Sequence, residues 1–220
     1  MRHKRSIQAT ITPPQLPDQL AEASQLDPLA DQASYARQAL LDCDFSSQQA
    51  DDVLFEQVVC TRVSFNQGQL TLAQLFDARL DSCDLAGAEW SKAHLRRVEL
   101  GACRLVGLRL SDSSLDEVLI TRSNAELARF WSCAFKAARF DHCVLREASF
   151  DGSDLSGVVF RDCDLGGADL RNTKLKGADL RGSTLTGVRV GIKELQGAIV
   201  TANQAIQLVG LLGVTVREED

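Results

Sequence analysis

At 220 residues, 45% of them apolar, the chain is long enough for one domain with a substantial core. A formal net charge of −6 with 25% charged residues is that of an ordinary soluble protein and argues against direct nucleic-acid binding. Seven cysteines, an odd number with no CxxC pair, argue against a secreted disulfide scaffold and for a reducing compartment.

The opening MRHKRSIQATITPP is basic, but no apolar run of signal-peptide length follows it. No apolar run reaches the roughly 18 residues that a membrane-spanning helix needs. The expectation is a cytoplasmic protein without a membrane span. Residues 1–40 carry Pro13, Pro14, Pro17 and Pro28 and no regular period, which predicts an irregular arm with a short helix near 29–40.

Over residues 41–190 the pattern changes. Starting at Phe45 and passing through Trp90, Phe130 and Leu170 to Val190, an apolar or small residue recurs at every fifth position, thirty positions in unbroken phase. A helix wants spacings of three and four, and a straight strand an even one. Two residues before these central positions runs a second series of small residues, among them Cys43, Ala88, Ala128 and Ala178. A spacing of two makes a short extended piece with both side chains on one face. Repeating it five residues on requires a corner, and Gly87, Gly152 and Gly177 stand two places after a central residue, where a turn demands positive φ. Corners of one sense wind a coil with its apolar side chains inside.

GADLR occurs at 167–171 and again at 177–181. With these units, the stretch from about 41 to 190 resembles the pentapeptide repeat family and its A(D/N)LXX repeats. The resemblance implies an all-β solenoid, a right-handed quadrilateral parallel β-helix with four units per coil. The cysteines supply a check on that number. Cys43, Cys83, Cys103, Cys143 and Cys163 are separated by multiples of twenty, so a twenty-residue coil stacks them in one column with Val63, Ser123 and Ser183. Thirty units then make about 7.5 coils, a rod roughly 36 Å long at the usual strand spacing.

Residues 191–220 read as a cap and a tail. Thr201 suits the N-cap of a helix over 202–212, whose Ala205, Ile206, Val209 and Leu212 share a face, and Gly213 suits its C′ position. VTV at 214–216 predicts a short strand, and REED a solvated tail. Gyrase-binding members of the family dimerise through a C-terminal helix, so the resemblance implies a homodimer through this end.

A catalytic site needs several groups converging in a concavity, and a filled coil offers none. Gln48 is the main polar residue at an inward position. His94 and His142 point outward and His3 lies in the arm, so neither a metal set nor a nucleophilic triad follows from spacing. GGAD at 166–169 opens no helix and reads as corner glycine, not a phosphate loop. The cysteine column reads as small apolar filler, because parallel Cβ atoms about 4.8 Å apart exceed the disulfide range and burial disfavours the thiolate. The phenylalanines at 130, 135, 140, 150 and 160 read as core stacking. The prediction is a protein without enzymatic activity or cofactor.

Some pentapeptide repeat proteins bind DNA gyrase or related topoisomerases by resembling a DNA duplex in size and charge, which offers that role as the alternative to a generic scaffold. Residues 41–190 carry 22 acidic and 18 basic residues, a thin net charge beside the duplex, which carries about one charge per 1.7 Å. One side of the coil holds Asp44, Asp84 and Asp164 with Glu126 and Glu147, interrupted by Arg104 and Arg146. The basic cluster Arg171, Lys174, Lys176 and Arg181 is interleaved with Asp169 and Asp179. The leading reading is therefore a non-catalytic scaffold for an unidentified protein partner. Two regions break the outward-polar rule. Leu72 and Phe76 are expected beneath the folded-back arm with its Leu16, Leu20, Leu26 and Leu29. Trp131 is harder to cover and is the first candidate contact residue, with Asp44, Asp84 and Asp164 as the others.

Overall fold

The computed structural model describes residues 10–23, 28–211 and 213–217; His3, Leu26, Leu212 and the end of the acidic tail lie outside that set. Units pair in parallel with the unit twenty residues on: Leu95 with Leu115, Leu110 with Phe130, Phe140 with Phe160. Isolated bridges carry the same register from Asp44 and Ser64 down to Asp179 and Ile199. An eleven-stranded sheet covers two sides of the coil, a five-stranded sheet the third, and isolated bridges the fourth. The result is a β-solenoid of about seven turns with one C-terminal helix.

The core follows the five-residue phase. From Phe45 to Leu185 every central residue is at most 5% exposed. Phenylalanines one coil apart stack, Phe130 on Phe150 with centroids 5.0 Å apart and Phe140 on Phe160 at 5.1 Å. Each large side chain so buried stabilises the coil by about 1.5–3 kcal/mol.

Corners come in two forms. Every fifth residue from Gln32 to Gly187 has positive φ, and 24 of these corner residues are not glycine, so glycine supplies only part of what the pattern led us to expect. In the closed form, the central carbonyl accepts the N–H three residues on, as Leu85 does from Ala88 at 3.1 Å and Leu175 from Ala178 at 2.9 Å, in the manner of a type II turn. In the open form the strand continues through the corner: Gln74–Asp81, His94–Gly101 and Ser114–Thr121 run through Asp77, Arg97 and Glu117. At Gln57, in the same column but between two strands, the corner N–H likewise donates to the next coil, to Phe76 O at 2.9 Å.

The inward cysteines and serines do more than fill space. Cys103 Sγ donates to Leu80 O at 3.5 Å, Cys143 Sγ to Ile120 O at 3.3 Å and Ser153 Oγ to Phe130 O at 2.7 Å, each bond joining one coil to the one before. All seven cysteines are buried free thiols. Burial pushes the Cys60 thiol up, and Cys133 to about 11. Cys103 and Cys163 are also pushed up, by the neighbouring thiols of Cys83 and Cys143 and by burial.

The two ends depart from expectation. No helix forms over 29–40; strands Ser34–Ala36 and Gln38–Leu41 stand there instead. Tyr35 and Leu40 share the phase of Phe45, and Tyr35 stacks on Phe55 at 5.1 Å, so burial in the coil outweighs local helix preference. Gln48 is half-exposed, and its Oε1 accepts the Leu29 N–H at 2.6 Å, closing the first coil. At the other end the phase outlasts Val190, with Leu195, Ala198 and Val200 packed against the core. Helix Ala202–Leu211 is capped reciprocally, Thr201 N–H donating to Gln204 Oε1 at 2.9 Å and Gln204 N–H to Thr201 Oγ1 at 3.3 Å. Gln204 Nε2 then donates to Leu180 O at 2.6 Å and Ser183 O at 2.8 Å. These bonds turn Gln204 and Leu208 inward and leave Ile206, expected inside, exposed. Residues 214–216 form no strand, and Val214 and Val216 are exposed. They follow the helix with no sheet edge paired to them.

Candidate functional site

Trp131 ends the strand Arg129–Trp131, the last of the five-stranded sheet. Alternation turns Ala128 and Phe130 into the core and leaves Leu127, Arg129 and Trp131 outside. Leu127 is 50% exposed and Trp131 39%. The Arg129 guanidinium lies over the Trp131 ring, 5.1 Å from its centroid. Trp131 and Arg109 form a wall shared by two shallow clefts. One has a floor of Thr71, Ser91 and Ser111, small hydroxyl residues one coil apart. The other is lined by Leu127, Arg129, Ser149 and Arg189, with Glu147 its one acid. Sequence reasoning singled out Trp131 and missed Leu127 and Arg129. The signal for Leu127 was available: it is a large apolar residue at a corner, two places after a central position, as Leu72 is.

The three candidate aspartates share one column with Ser64, Arg104, Asn124 and Val144 between them. Each has a local task. Asp44, Asp84 and Asp164 accept the N–H two residues on, from Ser46, Ala86 and Gly166, all at 2.9 Å, forming Asx turns that shape the corner. Asp84 also pairs with Arg104 at 3.0 Å and Asp164 with Arg146 at 3.1 Å. The structure does not bring these carboxylates to Trp131.

The arm folds back as expected, along a different line. Thr12 Oγ1 donates to the Glu117 carboxylate, Gln15 N–H to Asp77 Oδ1 at 2.8 Å, Gln57 Nε2 to Gln15 O at 3.0 Å, and Ala21 N–H to Arg37 O at 3.1 Å. It therefore crosses the coils along the open corner of Asp77 and Glu117. Phe76 beside that corner is half-buried, whereas Leu72, expected under the arm, remains 42% exposed on another corner. Arg97 grips Asp77 through two bonds of 2.6 and 2.5 Å and holds its carboxyl below the usual range, against the opposing pull of partial burial and with help from the Gln15 N–H.

His94 bonds Ser114 Oγ at 2.8 Å, and His142 bonds Asp141, both on the exposed side. Among the described residues no group of three or more His, Cys, Asp or Glu side chains is placed to hold a metal ion.

Five-residue units, a twenty-residue register and a filled interior define a parallel β-solenoid of the pentapeptide type. A family model for pentapeptide repeats matches residues 73–112 and one for a pentapeptide repeat region matches 123–199, and the chain belongs to the pentapeptide repeat family. Comparison with curated proteins finds no match. Among solved structures the chain is similar to HetL, involved in heterocyst differentiation regulation in the cyanobacterium Nostoc sp. strain PCC 7120. Identity is 22%, over 77% of this chain and 90% of HetL, with a TM-score of 0.36. A trypsin-treated variant of QnrB1, a plasmid-mediated fluoroquinolone resistance protein, is 23% identical over 90% of this chain and 97% of its own, TM-score 0.46. A pentapeptide repeat protein from the Arabidopsis thaliana thylakoid lumen is 19% identical over 75% and 71% of the two chains, TM-score 0.22.

Proposed function

We propose that this chain is a non-catalytic interaction scaffold that engages a protein partner through the surface around Trp131, in a reducing, cytoplasmic setting. The supporting observation is the exposure of Leu127 and Trp131 side by side around Arg129 on a coil whose other outward columns are largely polar. Tryptophan and arginine are the residue types that most often dominate interface energetics. A photoreactive group at position 131, used in the native cell, tests the reading. The expected result is one crosslinked protein whose capture from extract disappears with Trp131→Ala. Crosslinking no richer than from a group at Arg181 would overturn it.

The alternative, a duplex mimic acting on DNA gyrase or a related topoisomerase, draws less support, because Asp84 and Asp164 are paired with arginines and engaged in corner turns. Inhibition of supercoiling by the purified protein, undiminished in Trp131→Ala, would favour it over the scaffold. A homodimer through the C-terminal end belongs to the same proposal; Ile192 at 66% and Ile206 at 53% exposure stand there to be covered.

A further inference from the structure

Outward columns of this coil pair opposite charges from rung to rung. Arg62 meets Asp42 at 2.7 Å, Arg79 meets Glu99 at 3.0 Å, Arg104 meets Asp84, and Lys174 meets Asp154 at 3.1 Å. The column beside Trp131 breaks the rule. There Arg109 stands directly opposite Arg129 in the parallel ladder. Glu89 neutralises Arg109 from the preceding rung. Arg129 faces Ser149 on the following rung. Among the described residues no carboxylate lies within ion-pair distance of it, and its guanidinium rests on the Trp131 ring. Like charges directly opposed in a sheet cost stability, so the column carries a cation that the coil itself does not use. Stacking holds that guanidinium in a defined place while its N–H donors remain available. Arg189 lines the same cleft but is paired with Asp169 at 3.5 Å, so of the cleft's three arginines Arg129 alone has no carboxylate partner. On a chain of net charge −6, this is one unpaired guanidinium flanked by two exposed apolar side chains.

Resting on the reading of this face as the contact surface, we infer that its partner is an acidic protein segment carrying an apolar or aromatic residue. A carboxylate would take the free edge of Arg129 in a charge-assisted, two-pronged bond. The apolar residue would pack between Leu127 and Trp131, excluding water from that bond. Charge complementarity selects this occupant over a basic or a purely apolar one.

The test uses the full chain and a labelled flexible peptide of glutamates and phenylalanines, with counterparts bearing Gln or Lys for Glu, or Ser for Phe. Fluorescence anisotropy is expected to show binding of the acidic-aromatic peptide alone, weakened by salt. Arg129→Glu should weaken it about tenfold or more, and Trp131→Ala similarly. Arg62→Glu, on another side of the coil, should leave it unchanged. Both test residues are exposed, and circular dichroism verifies that the variants keep the wild-type spectrum. Binding of the Gln peptide as tight as of the Glu peptide, or indifference to Arg129→Glu, overturns the inference. So does an Arg129-dependent preference for a short DNA duplex over the acidic peptide. If the peptide fails while Trp131-dependent crosslinking persists, the acidic chemistry falls and the scaffold reading stands. If both fail, both fall.

Discussion

The coils before and after about residue 148 obey the same five-residue rule with different corners. On the N-terminal side, eight-residue strands pass through Asp77, Arg97 and Glu117 at φ of 52°, 52° and 56°. On the C-terminal side the same column continues as Gly157, Gly177 and Gly197, closed turns predominate, and pairing shortens to isolated bridges and the strand Val159–Arg161. The first column is a rail of charged side chains on which the arm lies, through Gln15 on Asp77 and Thr12 on Glu117. The second, glycine at all three corners, has no side chain there to hold an arm. Inward residues thus set the coil in both halves, and the corner residue decides what can dock on it.

The largest expected effect tests whether the halves are equal inside. Phe55→Asp and Leu170→Asp each bury an unpaired charge at a position at most 2% exposed, and each should cost more than about 4 kcal/mol and abolish the cooperative thermal transition. If one of the two kept the wild-type Tm, the equivalence would break. Arg171→Asp, which removes an exposed pair with Asp169, should shift Tm far less than either.

Next comes the C-terminal closure. Gln204→Ala removes the donor shared by Leu180 O and Ser183 O, at a cost of about 1–3 kcal/mol. Hydrogen exchange should accelerate first in the last coil, leaving the coils under the arm protected; uniform acceleration would mean that the two ends unfold as one.

Positive φ should favour glycine at the corners of both halves. Gly177 has φ 75° and room for a Cβ, whose nearest atom would be Gly157 N at 3.8 Å, so Gly177→Val should lose about 1–2 kcal/mol through backbone conformation alone. Ala102→Gly, at φ 50°, should gain up to about 1 kcal/mol in denaturant unfolding. Destabilisation by both substitutions would mean that backbone conformation does not govern the two kinds of corner alike.

Release of the arm is expected to be smaller. The Asp77 carboxyl is held below its usual value by Arg97 first. Its contribution is therefore complete above the unfolded value of about 3.9 and is lost as pH falls through the lower folded one. As pH falls from about 4 through that lower value, proteolysis should increasingly open the arm while the coil's far-ultraviolet spectrum persists, and Asp77→Asn should do the same at neutral pH, at about 1 kcal/mol. An arm that stays protected in both would separate the rail from the strap. The smallest effect concerns the cysteine column: Cys103→Ser should lie within about 1 kcal/mol of wild type, because Ser123 and Ser183 already occupy that column and hydroxyls donate better than thiols.

The phase of five, the coil of twenty, the core from Phe45 to Leu185, and the outward direction of His94, His142 and Trp131 were all legible in the sequence. One local rule repeats, and each unit's inward pair depends only on residues within that unit. Tertiary structure decided what depends on neighbours twenty residues away or on the two ends. Tyr35 and Leu40 joined the coil because Phe55 and Cys60 offered them a rung. The C-terminal helix turned to the face that let Gln204 reach two carbonyls of the last coil. Asp44, Asp84 and Asp164 were drawn into corner turns by N–H groups two residues on and, for the latter two, by arginines on or near the adjacent rung. Arg129 came to rest on Trp131, opposite another arginine, because a twenty-residue register stacks like on like wherever the outward sequence repeats its sign.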